Sequence, residues 1–300
     1  MPLIEYTPKK FGRNNLAVIA SANSIIASYI AQGYKLTLRQ LYYQFVSRDL
    51  LANTVQNYKR LGGIISDARL AGLIDWNSIE DRTRELKNTA FWRSPAQILE
   101  ACANQYKSDK WADQPCRVEL WIEKEALAGV FDRIAQELGV PYFCCRGYTS
   151  QSEMWEASQR LRRHAIAGQR PIILHFGDHD PSGIDMTRDI EERLELFRCD
   201  TLSLDRLALN MDQVEHYNPP PNPAKETDSR FRAYIERFGH ESWELDALEP
   251  QVLAALARDR VMQLVDREKW DAAVKKEEEE RQLLVAASDR WEEVTDYLGQ

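Results

Sequence analysis

The stretch 171–183 constrains the fold more than any other part of the chain. Pro171-Ile172-Ile173-Leu174-His175-Phe176 is a short apolar run that ends in Gly177-Asp178-His179-Asp180, followed by Pro181, Ser182 and Gly183. A helical pattern begins at Ile184. Apolar residues bounded by turn formers read as a buried strand. In parallel α/β sheets, ligand sites lie at the carboxyl ends of strands, which is where the two carboxylates stand. Two Asp side chains one residue apart repel unless something positive lies between them. An oxygen-only donor set suits Mg²⁺ or a similar hard cation such as Mn²⁺. The alternative is that Asp178 and Asp180 simply cap the following helix.

The surrounding pattern extends this reading. A strand over 117–122 ends at Glu123-Lys124-Glu125, and a helix over 126–138 closes at Gly139. A strand over 140–145 ends in Arg146-Gly147, and a helix follows from 152 to 167. After the 171–176 strand come a helix over 184–198 and a strand over 201–204. Such alternation predicts an α/β unit with a parallel sheet and helices on both faces. Beyond it the signals thin out. Pro219-Pro220-Pro221-Asn222-Pro223 predicts a rigid extended loop, and Lys225 and Arg230 behind it are candidates to touch phosphate. Glu244 and Asp246 precede a helix and read as helix-dipole partners. Lys275-Lys276 and Glu277 to Glu280 lie on a long terminal helix and read as a solvated face.

The first third differs in charge. The chain carries 39 basic and 47 acidic residues, a net charge of −8, yet residues 1–95 hold 13 basic and 7 acidic ones. That third can face phosphates while the acidic remainder supplies carboxylates. A helix is predicted over 14–32. Thr37 with Gln40 forms a capping box for a second helix, on which Leu38, Leu41, Tyr42 and Phe45 make one apolar stripe. Tyr42 therefore points inward. Arg39, Gln40, Tyr43 and Ser47 fall on the opposite, polar face, with Arg39 and Tyr43 as neighbours four positions apart. A third helix runs from Thr54 to about Ala71 and carries Lys59, Arg60 and Arg69, the candidate DNA-backbone contacts. Two short extended pieces over 73–84 read as a small basic wing. Three helices and a wing describe a winged helix-turn-helix, a DNA-docking shape. The alternative is a small helical domain with a solvated basic face. The expected division is 1–95 for this unit, 96–115 as linker, and 116–300 for the sheet with a helical tail.

The composition, 44% hydrophobic and 29% charged, is that of a globular protein. No apolar run approaches the roughly 18 residues of a membrane span, and Met1-Pro2-Leu3-Ile4-Glu5 lacks a signal-peptide pattern. Five cysteines show no metal-ligand spacing, so a reducing cytoplasm is the expected location.

Two motifs bring a family into view. Ile122-Glu123-Lys124-Glu125-Ala126 and Asp178-His179-Asp180-Pro181-Ser182-Gly183-Ile184-Asp185 resemble the two acidic motifs of a Toprim domain. Arg39-Gln40-Leu41-Tyr42-Tyr43 resembles the tyrosine motif of the A subunit of topoisomerase VI, and equally that of the meiotic double-strand-break transesterase. The order of the motifs also matches, over roughly residues 35–210. The resemblance implies a homodimer that cuts both strands of duplex DNA and leaves each 5′ phosphate on a tyrosine. It carries over Tyr43 as nucleophile, with Arg39 beside it, and Glu123, Asp178 and Asp180 as Mg²⁺ ligands. Gly147 matches a further motif position. Family A subunits have a longer amino-terminal extension that engages an ATPase B subunit. Tyr43 stands too near the start of this chain for such an extension, so a reduced, stand-alone form is expected, without ATP-driven strand passage. Two competing functions remain at this point. One is a Toprim nuclease that uses water and forms no tyrosine adduct. The other is a non-catalytic DNA-binding assembly module.

Overall fold

A computed structural model describes residues 3–80, 91–199 and 201–299. It is an α/β structure built on a four-stranded parallel sheet. The strands are β1 (Cys116–Ile122), β2 (Tyr142–Cys144), β3 (Arg170–Phe176) and β4 (Ser203–Ala208), in the order β2-β1-β3-β4.

Alternation along β1 and β3 serves two cores at once. Val118, Leu120, Ile122, Ile172, Leu174 and Phe176 face one side, and Trp121 and Ile173 the other. On the first side lie α5 (Ala128–Leu138) and α10 (Pro250–Leu264). Helix α5 presents Val130, Phe131, Ile134 and Leu138 along one stripe and ends where Gly139 turns left-handed at φ 63°. On the second side lie α6 (Gln151–Ile166) and α7 (Pro181–Leu196), with Met154, Ala157, Leu161, Ile190 and Leu194 buried. The helix after β1 thus covers one face and the helix after β3 the other. That divergence opens a crevice at the carboxyl ends of β1 and β3, the topological switch point of the sheet.

Helix α7 begins three residues earlier than the pattern from Ile184 predicts. Pro181 occupies its first turn, where the missing N–H costs nothing, and Asp180 is the N-cap. Gly183 is required there, because a Cβ would stand 2.2 Å from the Asp178 carbonyl oxygen. Strand β4 continues four residues past its expected end, through Asp205 and Arg206.

The first third contains α1 (Arg13–Ala31), α2 (Leu38–Ser47) and α3 (Val55–Leu70) around one core of Ile25, Tyr29, Leu41, Phe45 and Leu61. The Thr37–Gln40 capping box is formed, and α3 runs unbroken through Gly62-Gly63. Of the expected wing, residues 81–84 lie outside the described residues. The described part pairs through one bridge, Leu36 with Ile79, and just before it Ala71 bridges to Glu5.

Helix α4 (Pro95–Gln105) packs along α11 (Arg267–Asp289), and Trp111 after it is buried in the sheet's core. The charged run on α11 is not wholly solvated. Glu277 is buried, accepting from the Ser108 N–H at 2.8 Å and pairing with Lys110 at 3.0 Å. Helix α8 (Met211–Tyr217) precedes the short antiparallel pair β5 (Asn222–Pro223) and β6 (Glu241–Ser242), α9 (Phe231–Phe238) connects its two strands, and α12 (Trp291–Leu298) is the last described helix. No described helix is long and apolar enough to cross a membrane.

Candidate active site

The crevice at the switch point holds Glu123 and Asp178. Glu123 Oε2 accepts from the Asp178 N–H at 2.8 Å, which ties the two strand ends together. Asp178 Oδ1 accepts from the Leu245 N–H at 2.7 Å and meets Lys124 Nζ at 3.0 Å. Asp180 Oδ1 accepts from Ser182 Oγ at 2.8 Å and from the Gly183 N–H at 2.6 Å. Capping of the following helix is therefore real for Asp180, whereas Asp178 turns away from that helix to the Leu245 N–H. Burial, and next the charge of Asp180, raise the Glu123 pKa against the pull of its backbone hydrogen bond. Burial also raises Asp178, opposed by Lys124 and reinforced by Glu123.

Arg206 lies beneath these carboxylates. Its guanidinium donates to the carbonyls of Asp178 at 2.6 Å, Gly183 at 2.9 Å, and Gly177 and Leu209 at 3.2 Å. It also donates to Thr187 Oγ1 at 2.8 Å. Burial pulls its pKa down to about 10, which leaves it charged at neutral pH.

A second segment enters from the far end of the chain. His179 and Trp243 exchange backbone hydrogen bonds of 2.8 and 2.9 Å. This bridge delivers Glu244 and Asp246 into the crevice, where both pair with cations, although Asp246 also stands in the first turn of the short helix Leu245–Ala247 as an acid at a helix start should. Lys124 Nζ reaches Asp246 Oδ1 at 2.9 Å and also pairs with Glu244. Burial opposes the charge on Lys124, but Asp246, Asp178 and Glu244 outweigh it and the pKa stands well above the usual lysine range.

The same two carboxylates bind Arg39 of α2. Arg39 Nη2 lies 2.5 Å from Glu244 Oε2, and Nε lies 3.1 Å from Asp246 Oδ2. Arg39 Nη2 is 3.5 Å from the Tyr43 hydroxyl. Helix phase correctly pairs Arg39 with Tyr43, but the exposed polar face is overturned. Tyr43 is 5% exposed, against 4% for Tyr42. The reason is tertiary: the short 3-10 turn Leu245–Ala247 covers that side of α2. Nor does Arg39 make Tyr43 acidic. Burial, followed by Asp246 and Glu244, pushes the Tyr43 pKa up to about 12.

Between α2 and the β5–β6 segment lies a cleft of about 330 Å³ whose walls include Tyr43, Arg39, Asp180, Lys225 and Glu244. Gly147 does not line it. Gly147 supplies a left-handed turn at φ 88° after Arg146, which is itself at φ 53°. Lys59 and Arg60 are exposed on α3. Arg69 is committed elsewhere: it donates to the carbonyls of Trp76 and Ile79 and stacks over Trp76 at 4.7 Å. Arg230 pairs with Asp185 at 2.7 Å and with Asp228 at 3.1 Å.

Lys124, Arg206, Glu244 and Asp246 were not among the residues expected from sequence. Lys124 stood inside a recognised motif but was not assigned a role. Arg206 is marked only by a charge in the middle of a strand pattern. Among the described residues, no group of three or more His, Cys, Asp or Glu is drawn together tightly enough to form a metal centre. The donor chemistry nonetheless fits a hard cation at Glu123 and Asp180, two oxygen donors of which the first has its proton affinity raised by burial and then by the charge of the second. No protein-family model matches the chain, and no curated protein matches it.

Proposed function

We propose that this chain cleaves duplex DNA as a tyrosine transesterase, resembling the A subunit of topoisomerase VI and the meiotic double-strand-break transesterase. The observation that carries the reading is the cleft that joins Tyr43 and Arg39 of α2 to Asp180, just beyond β3, and to Lys225, just beyond β5. The helical first third then acts as a winged helix that delivers DNA, and the sheet as a Toprim domain. A homodimer places one such cleft on each strand. An ATPase B subunit is not part of the proposal.

In the reaction, Tyr43 Oη attacks a phosphorus of the backbone and the P–O3′ bond breaks. The 5′ phosphate stays on the tyrosine, and the 3′ oxygen leaves as a hydroxyl by taking up one proton, which balances the one the phenol gives up. The phenol is protonated at rest, so a carboxylate of the cleft must accept its proton as the new bond forms. Arg39 and Lys124 stabilise charge on the phosphoryl oxygens. Glu123 and Asp180, with Asp178 behind them, would hold Mg²⁺ or Mn²⁺, which supplies Lewis-acid stabilisation of the same oxygens. Arg206 orients the loop that carries both aspartates.

The near-complete burial of Tyr43 favours one second reading, a metal-dependent nuclease in which water attacks. Incubation of supercoiled DNA with Mg²⁺ or Mn²⁺, followed by denaturant with and without protease, separates the two. Linear DNA that migrates freely only after protease, and disappears in Tyr43→Phe, is the expected result. Full cleavage by Tyr43→Phe with no adduct would establish the nuclease. Absence of cleavage with either metal would defeat both.

A further inference from the structure

The two cations nearest Tyr43 already hold an anion each way they turn. Arg39 and Lys124 come from α2 and from the end of β1, and both bind Glu244 and Asp246. The two acids differ in access. The Asp246 side chain is 0% exposed, whereas that of Glu244 is 27% exposed and lines the cleft. A guanidinium and an ammonium converging on one oxygen of an accessible carboxylate make the arrangement that receives a phosphate oxygen.

We propose that Arg39 and Lys124 form the seat for a phosphodiester of the DNA backbone, and that Glu244 is its resident stand-in, displaced when DNA enters. The inference rests on the DNA-cleaving reading above and adds a ligand subsite and a gate to it. The exchange is charge for charge. One carboxylate leaves and one phosphodiester arrives, while Asp246 stays and keeps both cations in place. Displacement also removes the accessible lid beside Tyr43, one of the two acids that keep its proton on. In the resting protein the same contact ties α2 to the segment whose turn, Leu245–Ala247, covers Tyr43.

The test measures binding without cleavage. A fluorescent duplex of about 30 base pairs is titrated in EDTA, over a range of salt, with the wild type, Glu244→Gln and Glu244→Asp. Glu244→Gln removes the competing charge, so its affinity should rise roughly fivefold to tenfold, with a salt slope steeper by about one unit. Glu244→Asp keeps the charge but draws it back by one methylene, and should fall between the two. Thermal melts identify any variant that fails to fold, and Glu244→Asp then carries the comparison. Lys124→Gln should weaken binding and flatten the slope. Equal or weaker binding by both Glu244 variants, or no binding by any protein, overturns the seat. Because cleavage is not read here, a chain that binds as expected but never forms an adduct refutes the transesterase reading alone.

Discussion

Acid should destabilise this protein through His175. The ring is fully buried on β3, with Nδ1 2.9 Å from Thr187 Oγ1 and Nε2 without a partner. Burial, and then the nearby Arg206 charge, push its pKa down to about 3. An unfolded histidine titrates near 6.5, so below that pH the unfolded chain binds a proton that the folded one refuses. His175 therefore contributes its full stability above pH about 6.5 and loses it as pH falls toward about 3, at about 1.4 kcal/mol per pH unit. Between about pH 7.5 and about pH 5 the loss comes to about 2 kcal/mol. The assay is urea unfolding at several pH values, followed by tryptophan fluorescence, for the wild type and His175→Gln. The variant can start from lower stability without affecting the result, because the readout is the slope. His179, held down to about 4 mainly by burial, titrates in both proteins and cancels. The wild type should lose about 2 kcal/mol more than the variant over this range. Parallel pH dependences would refute the reasoning, since they would mean that His175 takes up a proton in the folded state.

Three further outcomes follow from the first three helices. The Tyr42 hydroxyl accepts from the Thr54 N–H at 2.7 Å and donates to the Thr54 carbonyl at 3.0 Å, anchoring the start of α3. Tyr42→Phe should cost about 1–2 kcal/mol and Tyr42→Ala about 3–5 kcal/mol in denaturant melts, and a Tyr42→Phe as stable as the wild type would contradict this. On α3, Lys59→Ala and Arg60→Ala should weaken DNA binding for all sequences alike and flatten the salt slope by about one unit each. Arg69→Ala should instead lower the melting temperature, because its guanidinium holds the 73–79 segment; a salt-slope change with unaltered melting would reverse that assignment.

The sequence by itself determined the parts governed by neighbours in the chain. Local pattern marked all four strands, by an apolar run at β3 and by alternation at β1, and helix phase with a capping box placed α2 and set Arg39 beside Tyr43. The three carboxylates Glu123, Asp178 and Asp180 were legible because strand ends in a parallel sheet carry sites. What was not legible depended on contacts between distant segments. The phase of α2 distinguishes two faces but cannot say that the second is also covered, and the turn Leu245–Ala247 buries Tyr43 from about two hundred residues away in sequence. Arg206 lengthens β4 although its charge argues against a buried strand, because the carbonyls that satisfy it converge only in the folded crevice. Glu244 and Asp246 read locally as partners of a helix dipole, and only the His179–Trp243 bridge turns them toward Arg39 and Lys124. Local pattern thus sets which elements form and what lies at their ends. Which charges meet is decided by tertiary packing, because a buried ion settles where an opposite charge and hydrogen-bond partners can reach it.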